Sequence, residues 1–487
     1  MLNIISSLQF ISFMKKLFTG IACLISSLIF SQENYPFVAE TDPLAVQKLE
    51  EWKDWKFGLL MHWGPYSEWG IVESWSLCPE DEGWTQRTKG NYQNYYEYVK
   101  DYEQLGATFN PTKFDPDRWA KAAKDAGMKY MVFTTKHHDG FNMFDTKQSD
   151  YKITASWVPF HSNPKADVTK EIFNSFRNEG INIGAYFSKP DWHSEYFWWP
   201  YFPPKNRNVN YEIKKYPERW KKFQDFTYNQ IEELMTGYGK VDILWLDGGW
   251  VRTKGTTDTS IDWQRNLPEE QDVDMARIAK MCRQKQPGII MVDRWVPGPY
   301  ENYHTPEQQI PEKPLPYPWE TCMTMAGSWS YVPNDIYKPT NTLIHNLVDI
   351  VAKGGNYLLN IGPGPDGAWH DEAYTRMKEI GEWLKINGDA IYKTRPIAPY
   401  KSGDVCFTQS KDGKTIYAIR LLKENETVPQ TISFSGIDIP ARSAIQLVGS
   451  SKKLKWKKEG DKTIVTVPKN TEAKHALAIK ILLSAAK

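Results

Sequence analysis

The hydrophobic positions of this chain fall into two textures. Between residues 57 and 363, short runs of Ile, Leu, Val, Met and aromatics alternate with longer amphipathic stretches, the rhythm of strand–helix repeats around a parallel sheet. FGLLMHWG (57–64), YMVFTTKHH (130–138), INIGAYFS (181–188), VDILWLDGG (241–249), GIIMVDRW (288–295), WETCMTM (319–325) and NYLLNIGP (356–363) read as strands. FDPDRWAKAAKDAG (114–127), TKEIFNSFRNEG (169–180), PERWKKFQDFTYNQIEELMTGYG (217–239) and DMARIAKMCRQKQPG (274–288) read as helices; the first takes Asp115 or Asp117 as N-cap and ends at Gly127. An eighth strand is expected near 328–332, so the α/β prediction is a distorted (β/α)8 TIM-like barrel over residues 32–395. From about Pro396 short alternating segments take over, among them VCFTQS, TIYAIRLL, TISFSG and AIQLVGS, broken by Gly, Asp and Lys. They predict a C-terminal antiparallel β-sandwich over 396–487, packed against the barrel.

Composition narrows the function. Lys and Arg number 60 against 59 Asp and Glu, so there is no electrostatic footprint of a nucleic-acid binder. Aromatics make up 14% of the chain, and Trp192, Trp198, Trp199 and Tyr201 sit in polar stretches, which suits a sugar-binding cleft as well as a core. Met14-Lys15-Lys16 followed by LFTGIACLISSLIF and Ser31 reads as a bacterial-type signal peptide over 1–31, with 1–13 an over-called start. A secreted or periplasmic protein is expected. Cys23 follows Gly-Ile-Ala, a poor match to a lipid-anchor box, and no run is long enough to be a membrane span. The remaining cysteines (Cys78, Cys282, Cys322, Cys406) form no CxxC pair, which argues against a zinc knot or a disulfide scaffold.

The polar residues at strand ends define the candidate pocket. His62 and Trp63 end the first strand, His137-His138-Asp139-Gly140 the second, Tyr186 and Ser188 the third, Asp247 the fourth and Asp293-Arg294 the fifth. Side chains at the C-terminal ends of parallel barrel strands converge on one mouth. Metal-assisted hydrolysis would use His62, His137, His138 and Asp247, but the first strand lacks an HxH pair, and adjacent strand residues such as His137 and His138 face opposite ways. No metal and no cofactor is expected. Glycoside hydrolysis instead needs two carboxylates, one on a rigid strand and one free to donate a proton. Asp247 fits the first, with Arg294 near enough to hold it ionised. For the second, the proline-rich stretch 296–318 offers Glu307, with Glu301, Glu312 and Glu320 as competitors.

Six segments carry a family resemblance. FGLLMHWGPYSEWG, KYMVFTTKHHDGFNMFDTKQSDY, GAYFSKPDWH, ILWLDGGW, MVDRW and GGNYLLNIGPGPDG resemble, in order, the motifs of the α-L-fucosidases, glycoside hydrolase family 29, over roughly residues 45–395. The resemblance implies a retaining exo-α-L-fucosidase with Asp247 as nucleophile and Glu307 as acid/base. It implies a fucose pocket of His62, His137, His138, Tyr186, Trp245 and Arg294, with Glu73 and Trp75 from the divergent VESWSLCPED segment. Glu320, in the WE pair, is expected beside them, and Asp293 is expected to support Arg294. Phe57, Trp63 and Trp245 are candidates for the apolar wall that faces the fucose methyl group, and Trp192, Trp198 and Trp199 for the leaving-group side. A fucosylated glycan is the expected partner. The alternatives are another retaining exo-glycosidase on the same scaffold, which a panel of aryl glycosides would reveal, or a non-catalytic carbohydrate-binding protein, against which both carboxylates argue. No motif sets linkage preference or oligomeric state.

Overall fold

The structure, a computed structural model, describes residues 36–484 except Asn266, Pro268 and Glu269. The signal-peptide segment and Cys23 lie outside the described residues.

Among the described residues, seven parallel strands form one curled sheet: β1 (Phe57–Met61), β2 (Tyr130–Lys136), β3 (Asn182–Ser188), β4 (Ile243–Asp247), β5 (Ile290–Asp293), β6 (Glu320–Thr324) and β7 (Asn356–Ile361). Their order is β5-β4-β3-β2-β1-β7-β6. The expected helices appear between them at Pro116–Asp125, Val168–Asn178, Pro217–Gly237 and Met275–Lys285. Asp115 caps the first, accepting from the Arg118 amide at 3.1 Å, and Gly127 follows its end at φ 88°.

The gap between β5 and β6 is closed by residues 300–308. The amides of Asp293 and Asn302 bond the carbonyls of Tyr300 and Met291, and those of Glu320 and Gln308 bond the carbonyls of His304 and Cys322, each at 2.9 Å. The segment bridges β5 antiparallel at Val292–Glu301 and β6 parallel at Glu307–Cys322. It is the barrel's eighth stave, and it replaces the strand expected at 328–332, where bends and irregular chain are found instead. Prolines explain the misreading. Pro299 precedes the segment and Pro306 lies within it, and a residue without an amide proton cannot hold a regular ladder, so its hydrophobic rhythm is broken.

Alternation along the strands sorts the side chains into two layers. Leu60, Val132, Tyr186, Trp245, Val292, Cys322 and Leu358 fill the barrel interior. Leu59, Phe133, Leu246 and Leu359 belong instead to the larger cluster that packs against the helices. Beyond the helix Asp371–Asn387, a five-stranded antiparallel sheet beginning at Thr394 and a three-stranded one (Thr431–Ser435, Trp456–Glu459, Lys462–Thr466) share their own core of Val405, Phe407, Phe434, Val465 and Ile479. Cys406, Ile419 and Ala478, on the opposite face of the larger sheet, join the barrel's outer core, and the Trp383 indole donates to the Ala476 carbonyl at 2.9 Å. The sandwich is docked on barrel helices, as expected.

Candidate active site

The inward parity of each strand, carried to its C-terminal end, builds the centre of the site. Residues 60, 186, 245 and 292 point inward, and two positions further on lie His62, Ser188, Asp247 and Arg294. Asp247 is gripped from both sides. The Tyr186 hydroxyl donates to its Oδ2 at 2.7 Å and Arg294 Nη1 to its Oδ1 at 3.2 Å. Burial, the largest single effect, would raise this carboxyl, but the Arg294 charge, His138 and the Tyr186 hydrogen bond together outweigh it and hold Asp247 at about 2. The following glycines are needed where they stand. Gly248 has φ 87°, and a Cβ there would lie 2.2 Å from Pro190 Cδ; one on Gly249 would lie 2.8 Å from the Arg294 carbonyl oxygen.

Arg294 also reaches the second carboxylate. Its Nη2 donates to Glu307 Oε2 and its Nε to Thr305 Oγ1 at 3.0 Å, so one guanidinium joins β4, β5 and the closing stave. The Asp247 and Glu307 side chains keep 13% and 24% of their surface open, so both reach the mouth. Of the competitors, Glu301 accepts the Trp295 amide at 2.8 Å and Glu312 contributes its carbonyl to the Tyr400 hydroxyl; neither meets Asp247 or Arg294 in these contacts.

Three histidines line the other side. His62 Nδ1 bonds Asn360 Oδ1 at 2.8 Å, which leaves Nε2 as an acceptor. His137 Nδ1 bonds Ser74 Oγ at 2.6 Å. His138 has no hydrogen-bond partner among the described residues on either nitrogen, although it is buried and its Nε2 lies 3.9 Å from Asp247. Buried polar atoms are rarely left unpaired, so this ring is suited to a ligand hydroxyl. Burial holds His62 at about 4 and His138 at about 3, neutral near pH 7. Trp75 packs edge-on to His138 at 5.0 Å, and Trp192 and Trp250 lie 5.2 and 5.1 Å from the same ring. Glu73 sits at φ 24°, a strained value for a residue with a side chain, and accepts the Ser330 amide at 2.7 Å. Burial pushes its carboxyl up to about 8.

Several expected pocket residues lie elsewhere. Trp63 takes the outward parity opposite to His62; its ring packs on Phe109, Phe114 and Trp119 at 5.4 to 5.6 Å, and its indole donates to the Gly364 carbonyl. Phe57 begins β1, at the far end of the barrel from the mouth, so it builds no wall there. Glu320 is wholly buried in the barrel interior, accepting from the Tyr130 hydroxyl at 2.5 Å and the Trp245 indole at 3.3 Å. It supports Trp245 from below, and Trp245 in turn lies under the Arg294 guanidinium and stacks on Tyr186 at 5.3 Å. Asp293 faces outward and pairs with Lys189 Nζ at 2.5 Å rather than with Arg294. Trp192 borders the pocket, Trp198 stacks behind it at 5.0 Å, and Trp199 belongs to a separate cluster with Tyr201, Phe202 and Tyr216. Asn360 and Trp329, which the sequence did not single out, stand beside His62, Trp329 with its ring at 5.2 Å. Asn360 was legible by parity in NYLLN; Trp329, in an irregular bend, carried no such signal.

The expectation that His137 and His138 cannot face one point fails. β2 ends at Lys136, so both residues sit in the turn beyond it, with ring centroids 4.2 Å apart. Ligand atoms of His137, His138 and Asp247 lie within 4.8 Å of one another. The Arg294 charge already neutralises Asp247, and a cation placed there would face that guanidinium, so the donor set fits a metal poorly.

The α-L-fucosidase family model matches residues 24–389. Tissue α-L-fucosidase of Mus musculus is 30% identical over 404 residues, covering 78% of this chain and 80% of its own length. Plasma α-L-fucosidase of Homo sapiens is 28% identical over 437 residues, with 85% of each chain covered. Among solved structures, α-L-fucosidase isoenzyme 1 from Paenibacillus thiaminolyticus superposes with a TM-score of 0.72 at 28% identity, covering 91% of this chain and 100% of that one. The Thermotoga maritima α-fucosidase in complex with fucose gives 0.67 at 28% identity, covering 89% and 96%.

Proposed function

The chain belongs to the α-L-fucosidase family, glycoside hydrolase family 29, and from that premise we propose an exo-acting retaining enzyme that releases terminal α-L-fucose from oligosaccharides, glycoconjugates or fucans. The observation that carries this reading is the shared guanidinium: Arg294 holds Asp247 on Nη1 and Glu307 on Nη2. Two carboxylates on adjacent nitrogens of one fork favour the short spacing, about 5 to 5.5 Å, that retention requires over the wider one of inversion.

In the proposed reaction Asp247, ionised and fixed on a buried strand, attacks the anomeric carbon, and the bond from that carbon to the leaving oxygen breaks. Glu307 gives its proton to that oxygen. The resulting fucosyl ester on Asp247 is cleaved by water, which Glu307 deprotonates as it attacks the same carbon. His62 and His138, neutral near pH 7, offer acceptors and donors to the sugar hydroxyls, and Trp245 and Trp329 offer apolar faces to ring and methyl group. Export belongs to the same reading. Residues 1–31 have a secretory pattern, and among the described residues no helix is long and apolar enough to cross a membrane.

Proton NMR of a reaction with an aryl α-L-fucoside tests this. α-L-Fucose is expected as the first-formed anomer; β-L-fucose would overturn retention. Glu307→Ala is expected to recover turnover of an activated aryl fucoside in azide, forming a fucosyl azide of retained configuration. Rescue of Glu320→Ala instead would move the acid/base role.

A further inference from the structure

A ridge of aromatic rings leads from the nucleophile to the surface. His138 lies 3.9 Å from Asp247, Trp75 stands 5.0 Å from His138, and Trp84 stands 6.1 Å from Trp75. Trp84 is the outermost of these and is 54% exposed. Its orientation is nevertheless fixed. The indole donates to Asp81 Oδ1 at 2.7 Å, and the Thr85 hydroxyl donates to the Asp81 carbonyl at 2.9 Å. Arg87 pins the same loop through the carbonyls of Ser76 and Cys78, and Arg207 pins it through Glu80 at 2.5 Å while covering Trp75 and Trp250. A large apolar face held rigidly in water, continuous with the pocket wall, matches a carbohydrate platform better than a stray core residue.

We propose that Trp84 is the stacking platform for the second sugar ring of the substrate, a neutral hexopyranose in the leaving group. The inference rests on the fucosidase reading and deepens it. Neutrality follows from the side chain nearest the ring: the Asp81 carboxylate accepts from the Trp84 indole, and Arg207 is already paired with Glu80 and Asp81, so a sulfated ring stacked there would meet a carboxylate. Trp84 lies on the β1–β2 connection, distinct from the long segment after β3 that supplies Trp192.

The test compares kcat/KM on α-L-fucosyl fluoride, which has no second ring, with kcat/KM on a neutral fucosylated trisaccharide. Trp84→Ala is expected to lower the trisaccharide-to-fluoride ratio about tenfold, whereas Trp84→Phe, which keeps an aromatic face, should retain most of it. A ratio unchanged in Trp84→Ala overturns the platform. A wild-type preference for a sulfated trisaccharide over the neutral one overturns the neutral-ring assignment. If the wild type hydrolyses neither the fluoride nor the trisaccharide, the fucosidase reading fails and the platform with it.

Discussion

Glu73 carries a pH dependence of its own. Its carboxyl is buried near Asp247 and Glu307, and burial, with these two charges adding to it, pushes it up to about 8. Below that value the group is neutral; above it, a further negative charge stands near the nucleophile. kcat/KM is therefore expected to fall on the alkaline side with a component near 8, and Glu73→Gln, permanently neutral, should lose that component. The sign for stability is the same. The folded value exceeds the ordinary glutamate value of 4.5, so the contribution is complete below 4.5 and is lost as pH rises through about 8. Denaturation midpoints should decline toward alkaline pH more steeply in the wild type than in Glu73→Gln; parallel curves would contradict the assignment. Glu73 came to notice only through family resemblance. His62, Asp247 and Arg294, by contrast, were legible because strand parity and strand ends are written in the hydrophobic rhythm. Trp63 shows the limit: ending a strand does not fix the direction of a side chain, and its neighbour His62 holds the inward place.

At the scale of elements, the site depends on β4 being clamped by its neighbours. β3 and β5 flank it, and Lys189, just beyond β3, crosses over to Asp293 at the end of β5 while also donating to the Val251 carbonyl at 2.9 Å. Lys189→Met would take from the buried Asp293 its directly bonded cation and leave only partial compensation from the Arg252 charge, at a cost of about 3 kcal/mol in urea denaturation. Lys189→Met with Asp293→Leu should recover much of that loss, because an apolar pair removes the uncompensated charge. Failure of the double variant to recover stability would mean that the pair acts by geometry instead. The seven regular strands and four of the helices were readable because each buries a continuous apolar face. The eighth stave was not. It is held by six backbone bonds and by the Tyr303 ring, stacked 4.2 Å from Trp52, in a stretch whose prolines interrupt any period. The element that closes the barrel is also the one that carries Glu307.

At the scale of the whole molecule, the sandwich acts as a buttress for the barrel's last helices. Trp383 is 5% exposed and bonds across to Ala476, on the strand that ends the described chain. Trp383→Ala is expected to cost about 3–5 kcal/mol and to lower Tm, while kcat/KM at temperatures well below the transition changes little; a selective loss of kcat would tie the sandwich to the chemistry. The change from helices to antiparallel strands at Thr394 was legible because the hydrophobic period turns from helical to alternating in that region. The central claim concerns the mouth of the barrel, where Asp247 and Glu307 share Arg294. Its most direct test is incubation with 2-deoxy-2-fluoro-α-L-fucosyl fluoride followed by peptide mapping by mass spectrometry. A single fluorofucosyl ester on Asp247, absent from Asp247→Ala, is the predicted result. A label on another residue, or steady turnover with no ester in both the wild type and Glu307→Gln, would contradict it.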